Sequence, residues 1–295
     1  MAGEALVMKK RVAALILGLF FILNALPCAA LDINPATDRD FDVPCQAAIL
    51  IDEDSGTVLY EKNADQQMPI ASITKVMTLL LTFEAVHDGR IAMDTLVPVS
   101  EHAYHMGGSQ IWLEPGEQFT LDEMIKAICV SSANDAAVAV AELVGGSEPA
   151  FVERMNARAA ELGMEHTTFH NACGLDTEGH LSTARDVAVM SCQILNTCPE
   201  VLHYTGIWTD TLRGGQTQLV NTNKLLRRYN GITGLKTGTT GGAGVCITAS
   251  ATRDGLNLIA VVLGALLLAG VYALFGDVVM PTLNKRITEM FNYAG

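Results

Sequence analysis

Residues 245–263 read VCITASATRDGLNLIAVVL, and this stretch decides the fold class. Residues 245–252 and 256–263 are apolar and rich in β-branched side chains, which is typical of buried strands. The Arg-Asp-Gly sequence at 253–255 has the composition of a tight turn. The stretch therefore predicts a β-hairpin towards the C-terminal end of the fold.

A second hairpin is predicted near the other end of the chain. Residues 47–51 (AAILI) and 57–60 (TVLY) are strand-like, and the Asp-Ser-Gly sequence at 54–56 is a turn. Between the hairpins the pattern is mostly helical, with helices predicted at 72–86, 121–130, 134–144, 151–162 and 184–195. We therefore expect one α/β unit, in which an antiparallel sheet built from both chain ends is flanked by helices.

The N-terminus has the features of an export signal. Three basic residues at 9–11 precede an apolar run of 15 residues at 12–26, and small residues then permit cleavage after Ala30. An uncleaved membrane anchor is the alternative, although the run is shorter than the roughly 20 residues of a spanning helix. The predicted organisation is a signal peptide at 1–30, a linker at 31–44 and a folded domain at 45–295.

The composition excludes some classes of protein. Of the 295 residues, 49% are hydrophobic and 17% are charged, which suits a folded core and not a disordered chain. The net charge of −13 argues against nucleic-acid binding, which needs a basic surface. The even number of cysteines after residue 30 permits disulfides in an exported protein, and Cys192 and Cys198 are the closest pair. No spacing is typical of a zinc site, so no metal is expected.

Ser72 and Lys75 form the first chemical motif. On a helix, residues three apart share a face, so the Lys75 amine can reach the Ser72 hydroxyl. A serine becomes a strong nucleophile when a base takes its proton, and a lysine can act as that base if burial lowers its pKa. Taken alone, the pair is equally compatible with a helix start that has a capping serine and a solvated lysine.

Two further motifs follow. Ser132 and Asn134 could present a hydroxyl and an amide to one cleft, although a helix N-cap explains them equally well. The third motif comprises Lys236, Thr237, Gly238 and Thr239. Its lysine and hydroxyls could bind a carboxylate, and its glycine lets a substrate approach a strand edge. The alternative interpretation is an ordinary loop that contains a lysine.

Together the motifs carry a family resemblance. They occur in the order Ser-x-x-Lys, Ser-x-Asn, Lys-Thr-Gly, with Ser132 60 residues after Ser72 and Lys236 104 residues after Ser132. This set resembles that of the low-molecular-weight penicillin-binding proteins, the D-alanyl-D-alanine carboxypeptidases of the S11 serine peptidase family. The resemblance covers roughly residues 45–263. It extends to four other stretches, namely 108–117 (GSQIWLEPGE), 134–136 (NDA), 180–186 (HLSTARD) and 221–225 (NTNKL).

The resemblance implies a β-lactamase/transpeptidase-like fold and an acyl-enzyme mechanism. Ser72 would attack the carbonyl between two D-Ala residues of a peptidoglycan stem peptide, and Lys75 would take its proton. The backbone N–H groups of Ser72 and Thr239 would bind the oxyanion. Penicillins are expected to acylate Ser72, and no metal or organic cofactor is implied. The protein would act outside the cytoplasm, at the cell wall or the membrane.

The resemblance also implies roles for the other motif residues. Ser132, together with Lys236, would pass a proton to the departing D-Ala. Asn134 would position the peptide, and Lys236 and Thr237 would engage its terminal carboxylate. Gly238 would let the substrate lie against the strand.

Two features depart from the family pattern. Many members carry an added β-rich C-terminal domain, which we do not expect in a chain that stops at Gly295. In addition, no charged residue occurs between Leu258 and Gly276, where the family has a polar loop with an arginine that can hold the substrate carboxylate. Arg253 stands at the wrong end of the strand to replace it. We favour a buried strand at the start of this stretch over a membrane-spanning segment, because the remainder is too short to span.

Two other functions are compatible with the motifs. A β-lactamase shares the nucleophile, but class A enzymes use a glutamate in a Glu-x-x-x-Asn context, which the sequence around Glu165 does not fit. A non-catalytic penicillin-binding relative is the other alternative. The sequence leaves open whether the substrate is a stem peptide or a cross-link, and whether the role is vegetative or sporulation-specific.

Overall fold

The computed structural model describes residues 43–253 and 255–265. The predicted signal peptide, most of the predicted linker and the chain beyond residue 265 lie outside this range. The strands of the described part are β1 (Ala47–Asp52), β2 (Val58–Lys62), β3 (Leu96–Pro98), β4 (Gln118–Thr120), β5 (Thr209–Leu212), β6 (Thr217–Val220), β7 (Ile232–Thr240), β8 (Gly244–Arg253) and β9 (Leu256–Ala265).

Seven α-helices are found in the same described ranges. They are α1 (Lys75–His87), α2 (Glu101–Tyr104), α3 (Leu121–Val130), α4 (Asn134–Gly145), α5 (Glu148–Glu161), α6 (Ala184–Thr197) and α7 (Val201–Thr205). Short 3₁₀ segments occur at Ala71–Thr74, Arg213–Gly215 and Lys224–Arg227.

The main sheet joins the two hairpins that the sequence predicts. Its antiparallel strands have the order β2-β1-β9-β8-β7. β1 pairs with β9 from Ala47 opposite Leu263 to Asp52 opposite Leu258, so the early and late strands lie side by side. β8 pairs with the other side of β9, and β7 is the edge strand. The predicted α/β fold, with a sheet from both chain ends and a mostly helical middle, is confirmed.

β9 lies at the centre of this sheet and is buried on both faces. Ile259 and Val261 belong to one apolar core, whereas Ala260 and Val262 belong to the other. Because both faces are covered, the strand is apolar without interruption from Leu258 onwards. The stretch at 258–265 is thus the predicted strand, while 266–276 falls outside the described residues. In the ranges that the structure describes, no helix has both the length and the apolarity needed to cross a bilayer.

α1 is the helix around which the other helices are arranged. Ten of its 13 residues are buried, and it packs against both α4 and α6. A helix that is apolar around its whole circumference belongs in a core, so α1 is enclosed rather than laid on the surface. Its first residue, Lys75, follows the Ala71–Thr74 turn that contains Ser72.

Side-chain caps fix where α2, α3, α5 and α6 begin. Thr120 and Glu123 form a capping box at the start of α3, and Thr183 caps α6. Ser147 caps α5, which has Pro149 in its first turn, so this helix begins three residues before the predicted position.

Two features of the fold were not predicted. β3–β4 and β5–β6 form two small sheets from strands of three or four residues, which are too short to show a clear pattern. β7 contains the Lys-Thr-Gly motif, which the sequence placed before a strand rather than within one. Its glycines weaken the strand signal. Cys192 and Cys198, the closest pair of cysteines in the sequence, are separate thiols.

The junction of α4 and α5 provides a test of the core. Phe151 is fully buried, and an added Cβ on Gly145 would lie 2.7 Å from its Cβ. Phe151→Ala is expected to lower the free energy of unfolding by about 3–5 kcal/mol, because it leaves a cavity there. Urea unfolding measures this value. Leu96→Ala, at a position that is 51% exposed, should change it by less than about 0.5 kcal/mol, and equal losses would contradict the assigned core.

Candidate active site

The side chains of Ser72 and Lys75 meet at the entry to α1. Lys75 is fully buried, and its Nζ donates to Ser72 Oγ at 2.8 Å. The same Nζ donates to Asn134 Oδ1 at 2.6 Å and to the backbone oxygen of Cys173 at 2.6 Å. The three acceptors come from separate segments of the chain. The Lys75 amine therefore has a single defined position beside the Ser72 hydroxyl.

The surroundings of Lys75 favour its neutral form. Burial lowers the pKa of the Lys75 ammonium to about 8, and the nearby Cys173 and Asp135 side chains oppose this shift. Among the described residues, Lys75 forms no ion pair with a carboxylate. A substantial fraction of Lys75 is therefore neutral near neutral or mildly basic pH, and this fraction can accept a proton.

Asn134 and Asp135 hold one wall of the site. Asn134 uses Oδ1 for Lys75, and its Nδ2 donates to the Gly107 oxygen at 2.6 Å. The buried Asp135 carboxylate accepts backbone N–H bonds from Ile111 at 3.1 Å and from Leu113 at 3.1 Å. The first residues of α4 therefore fix the segment at 107–113 against the site.

Ser132 is buried in the connection between α3 and α4 and has left-handed backbone geometry, with φ of +59°. Ala71 and Leu235, which directly precede Ser72 and Lys236, are left-handed as well. Such backbone is unfavourable for residues other than glycine and is concentrated at functional sites. In the described structure, Ser132 forms no hydrogen bond with Ser72, Lys75 or Lys236.

Lys236 is buried within the edge strand β7. Its Nζ donates to the Thr237 backbone oxygen at 2.8 Å, and it forms no ion pair with any described carboxylate. Burial, followed by the positive charge of Lys75, lowers the pKa of Lys236 to about 7. Thr237 Oγ1 lies 2.6 Å from Thr222 Oγ1, and Thr239 is exposed. Lys236 therefore supplies a buried positive charge that lacks a protein carboxylate.

Gly238 brings β7 close to the serine. An added Cβ at this position would lie 2.7 Å from the Ser72 backbone nitrogen and 2.9 Å from Ala71 Cβ. A real Cβ atom does not approach backbone this closely. Glycine therefore permits the edge strand to lie directly against the Ser72 turn, and it joins the first and third motifs.

The segment at 171–177 also shapes the site, although sequence reasoning gave it no role. Asn171 Oδ1 accepts the backbone N–H of Cys173 at 3.2 Å and of Gly174 at 2.6 Å, which orients the Cys173 carbonyl that Lys75 contacts. Asp176 accepts from Thr240 Oγ1 at 2.6 Å, which ties the segment to the end of β7. The sequence could have indicated a turn at Asn171, because Asn side chains commonly bond to the backbone two residues on. It could not have indicated that this turn lies beside Lys75 and the end of β7, since those contacts depend on the fold.

Arg253 lies away from the motifs, as expected. It pairs with Leu256 at one end of β8, whereas Val245, near the other end, pairs with Thr239. The stretch in which the family carries its arginine falls outside the described residues.

Comparison with known families identifies two matches. A model described as D-alanyl-D-alanine carboxypeptidase matches residues 34–266. A second model, for a family of unknown function, matches residues 255–295 and so overlaps the first only within the last strand.

Individual relatives agree with the first match. The chain is 44% identical over 290 residues to D-alanyl-D-alanine carboxypeptidase DacF of Bacillus subtilis, covering 97% of this chain and 71% of the relative. It is 38% identical over 232 residues to DacC of Escherichia coli, covering 76% of this chain and 57% of the relative. The chain therefore spans about three-fifths to seven-tenths of the length of these two relatives.

Solved structures are similar as well. Penicillin binding protein 6B from Escherichia coli has a TM-score of 0.75 at 34% identity, with 80% of this chain and 76% of that chain covered. Penicillin-Binding Protein D2 from Listeria monocytogenes in its ampicillin-bound form has a TM-score of 0.71 at 34% identity, with 78% of this chain and 94% of that chain covered. These likenesses confirm the β-lactamase/transpeptidase-like fold class.

The contact between β7 and the Ser72 turn can be tested with two neighbouring glycines. Gly238→Ala is expected to lower the free energy of unfolding by about 1–3 kcal/mol, because its Cβ would push β7 away from Ser72. Gly241→Ala is the control, since nothing lies within 4 Å of its added Cβ. Urea unfolding measures both, and equal effects would contradict the close approach.

Proposed function

The chain belongs to the D-alanyl-D-alanine carboxypeptidase family, and from that premise we propose that it removes the terminal D-Ala of peptidoglycan stem peptides through an acyl-enzyme at Ser72. The comparisons support a peptidase of the penicillin-binding class. The observation that carries the serine mechanism is the 2.8 Å hydrogen bond from the buried Lys75 amine to the Ser72 hydroxyl. Its wall substrate would place the protein outside the cytoplasm.

Acylation proceeds from the neutral form of Lys75. The amine takes the Ser72 proton while Oγ attacks the carbonyl carbon of the penultimate D-Ala. The carbonyl oxygen gains negative charge and is stabilised by the backbone N–H groups of Ser72 and Thr239. This arrangement is supported by the position of Gly238, which brings β7 against the Ser72 nitrogen.

The departing D-Ala needs a proton on its nitrogen. Ser132, with Lys236 beside it, passes its hydroxyl proton to this nitrogen as the C–N bond breaks. The Lys75 ammonium, which holds the proton taken from Ser72, replaces the proton of Ser132, and the acyl group stays on Ser72. Water then attacks the ester carbonyl, the neutral Lys75 amine takes a proton from this water, and it returns the proton to Ser72 Oγ as the ester bond breaks. The strained backbone of Ser132 supports a functional position rather than a simple helix cap.

The substrate carboxylate binds beside β7. A buried ammonium without a carboxylate is unfavourable, and the charge of Lys236 has no such partner among the described residues. The terminal carboxylate of the peptide, or of a penicillin, provides one, and the Thr237 hydroxyl adds a hydrogen bond. Asn134, which accepts from Lys75 at 2.6 Å, positions the peptide. β-Lactam binding in the ampicillin-bound Listeria relative supports the same expectation for this chain.

Covalent labelling tests the nucleophile. A fluorescent penicillin should label the intact protein with one equivalent, and Ser72→Ala should abolish labelling while the thermal unfolding temperature stays nearly unchanged. Ser131→Ala, beside Ser132 but outside the motif, is the control and should still be labelled. Absence of labelling in the intact protein would refute the acyl-enzyme proposal.

The pH dependence of acylation tests the base. The first-order acylation rate should rise with pH through about 8, because the neutral amine is the form of Lys75 that accepts a proton. Binding of the carboxylate should weaken above about pH 7, as Lys236 loses its charge. Stopped-flow measurement of acylation at several penicillin concentrations separates the first-order acylation rate constant from the dissociation constant of the non-covalent complex.

Two variants complete this test. Lys75→Ala should reduce the acylation rate by about 10²–10⁴-fold, the usual contribution of a general base. Lys126→Ala removes a partly exposed lysine that pairs with Asp210 at 3.2 Å, and it should leave the rate unchanged. A Lys75→Ala protein that acylates at the normal rate would overturn the base assignment.

A further inference from the structure

Three potential metal ligands meet at the end of α1 that is remote from Ser72. His87 is the last residue of α1, Cys198 follows the last residue of α6, and Glu200 precedes α7. Their ligand atoms all lie within 4.8 Å of one another. His87 Nε2 lies 2.5 Å from Glu200 Oε1. His87 precedes Cys198 by 111 residues, so no sequence spacing could have indicated this cluster.

We propose that His87, Cys198 and Glu200 form a zinc site. An imidazole nitrogen, a thiolate and a carboxylate are the three ligand types that zinc prefers. With bonds of about 2.0–2.3 Å, ligand atoms around a tetrahedral zinc ion are about 3.3–3.8 Å apart. The distances to Cys198 Sγ, which are at most 4.8 Å, would need to shorten by up to about 1.3 Å, and His87 Nε2 and Glu200 Oε1 would need to move apart by about 0.8 Å. The partly exposed His87 and Glu200 side chains can turn to make both adjustments.

The charges and protons of the site balance. Zinc displaces the proton from the Cys198 thiol and any proton that His87 Nε2 donates to Glu200, and these protons go to solvent. The thiolate and the carboxylate then neutralise the two charges of the metal, and the imidazole is neutral. Thr197 Oγ1 donates to the Gln193 backbone oxygen at 2.8 Å and lies 3.5 Å from Cys198 Sγ, so it can turn its single proton from that oxygen to the thiolate. Water completes the tetrahedron on the exposed side of His87 and Glu200.

An ion pair alone would account for only part of the cluster. His87 and Glu200 are 45% and 40% exposed, and a solvent-facing pair of this kind is common. Such a pair does not need a third side chain. Here the fully buried Cys198 thiol lies within 4.8 Å of both His87 and Glu200, and an ion pair gives it no role. A metal site uses all three side chains.

Zinc at this position would connect α1, which begins with Lys75, to α7, which packs against the motif strand β7. The contact between α7 and β7 is close, since an added Cβ at Gly234 would be 2.1 Å from Thr205 Oγ1. Bound metal thus clips the end of α1 to the start of α7. Since metal bound to the folded chain favours folding, it raises the unfolding temperature.

The experiment titrates the metal-free full-length chain with Zn²⁺ in competition with a chromophoric chelator. We expect one equivalent to bind, with proton release, and a rise in Tm of about 5 °C at a hundredfold excess over Kd. Co²⁺ in place of Zn²⁺ should give a thiolate-to-cobalt charge-transfer band. Absence of a stoichiometric site in the intact chain would overturn the proposal.

Variants identify the ligands. Cys198→Ser should abolish the cobalt band and weaken Zn²⁺ binding at least tenfold, and Glu200→Gln should weaken it similarly. Glu200 is exposed, so this variant carries the test even if Cys198→Ser folds poorly. Cys192→Ser and His203→Ala are matched controls, a second thiol and a second exposed imidazole nearby, and should retain both signals. Two results would refute the site. One is Zn²⁺ binding that survives both Cys198→Ser and Glu200→Gln, and the other is an equal loss of binding in Cys192→Ser and His203→Ala.

Discussion

The hydrogen bonds of the buried Lys75 amine are the constraint on which the rest of the site depends. An ammonium or amine group removed from water must find its partners within the protein. Lys75 finds them on Ser72, on Asn134 and on the Cys173 backbone, which belong to three separate segments. Satisfying one side chain therefore fixes the nucleophile turn, the start of α4 and the segment at 171–177 relative to one another.

The second lysine adds an electrostatic asymmetry to this arrangement. Lys75 is surrounded by neutral acceptors, whereas Lys236 is buried in an edge strand and is repelled by Lys75. Two nearby ammonium groups in a dry site cannot both be charged without cost, so their protonation is coupled. Acyl transfer requires a neutral amine beside the serine and a positive charge on β7. A substrate carboxylate bound at Lys236 favours this division, because it stabilises the charged form of Lys236.

The sheet explains how segments so distant in sequence come together. β9 fills the centre between β1 and β8, which leaves β7 as the free edge facing the Ser72 turn. Gly238 then permits the close approach of that edge to the turn. Local backbone strain at Ala71, Ser132 and Leu235 is tolerated because the surrounding core fixes those positions. The site is thus a product of strand order as much as of its side chains.

The sequence by itself determined the two hairpins and most helices, because hydrophobic periodicity is a local property of the chain. It also determined the family and the set Ser72, Lys75, Ser132 and Lys236, because the order and spacing of motifs can be read along the chain. It did not reveal that β7 is a strand, that the Cys173 carbonyl is an acceptor for Lys75, or that His87 lies beside Cys198 and Glu200. Those facts depend on contacts between residues up to 113 positions apart. Only the tertiary structure decides such contacts, because packing, not spacing along the chain, brings the groups together.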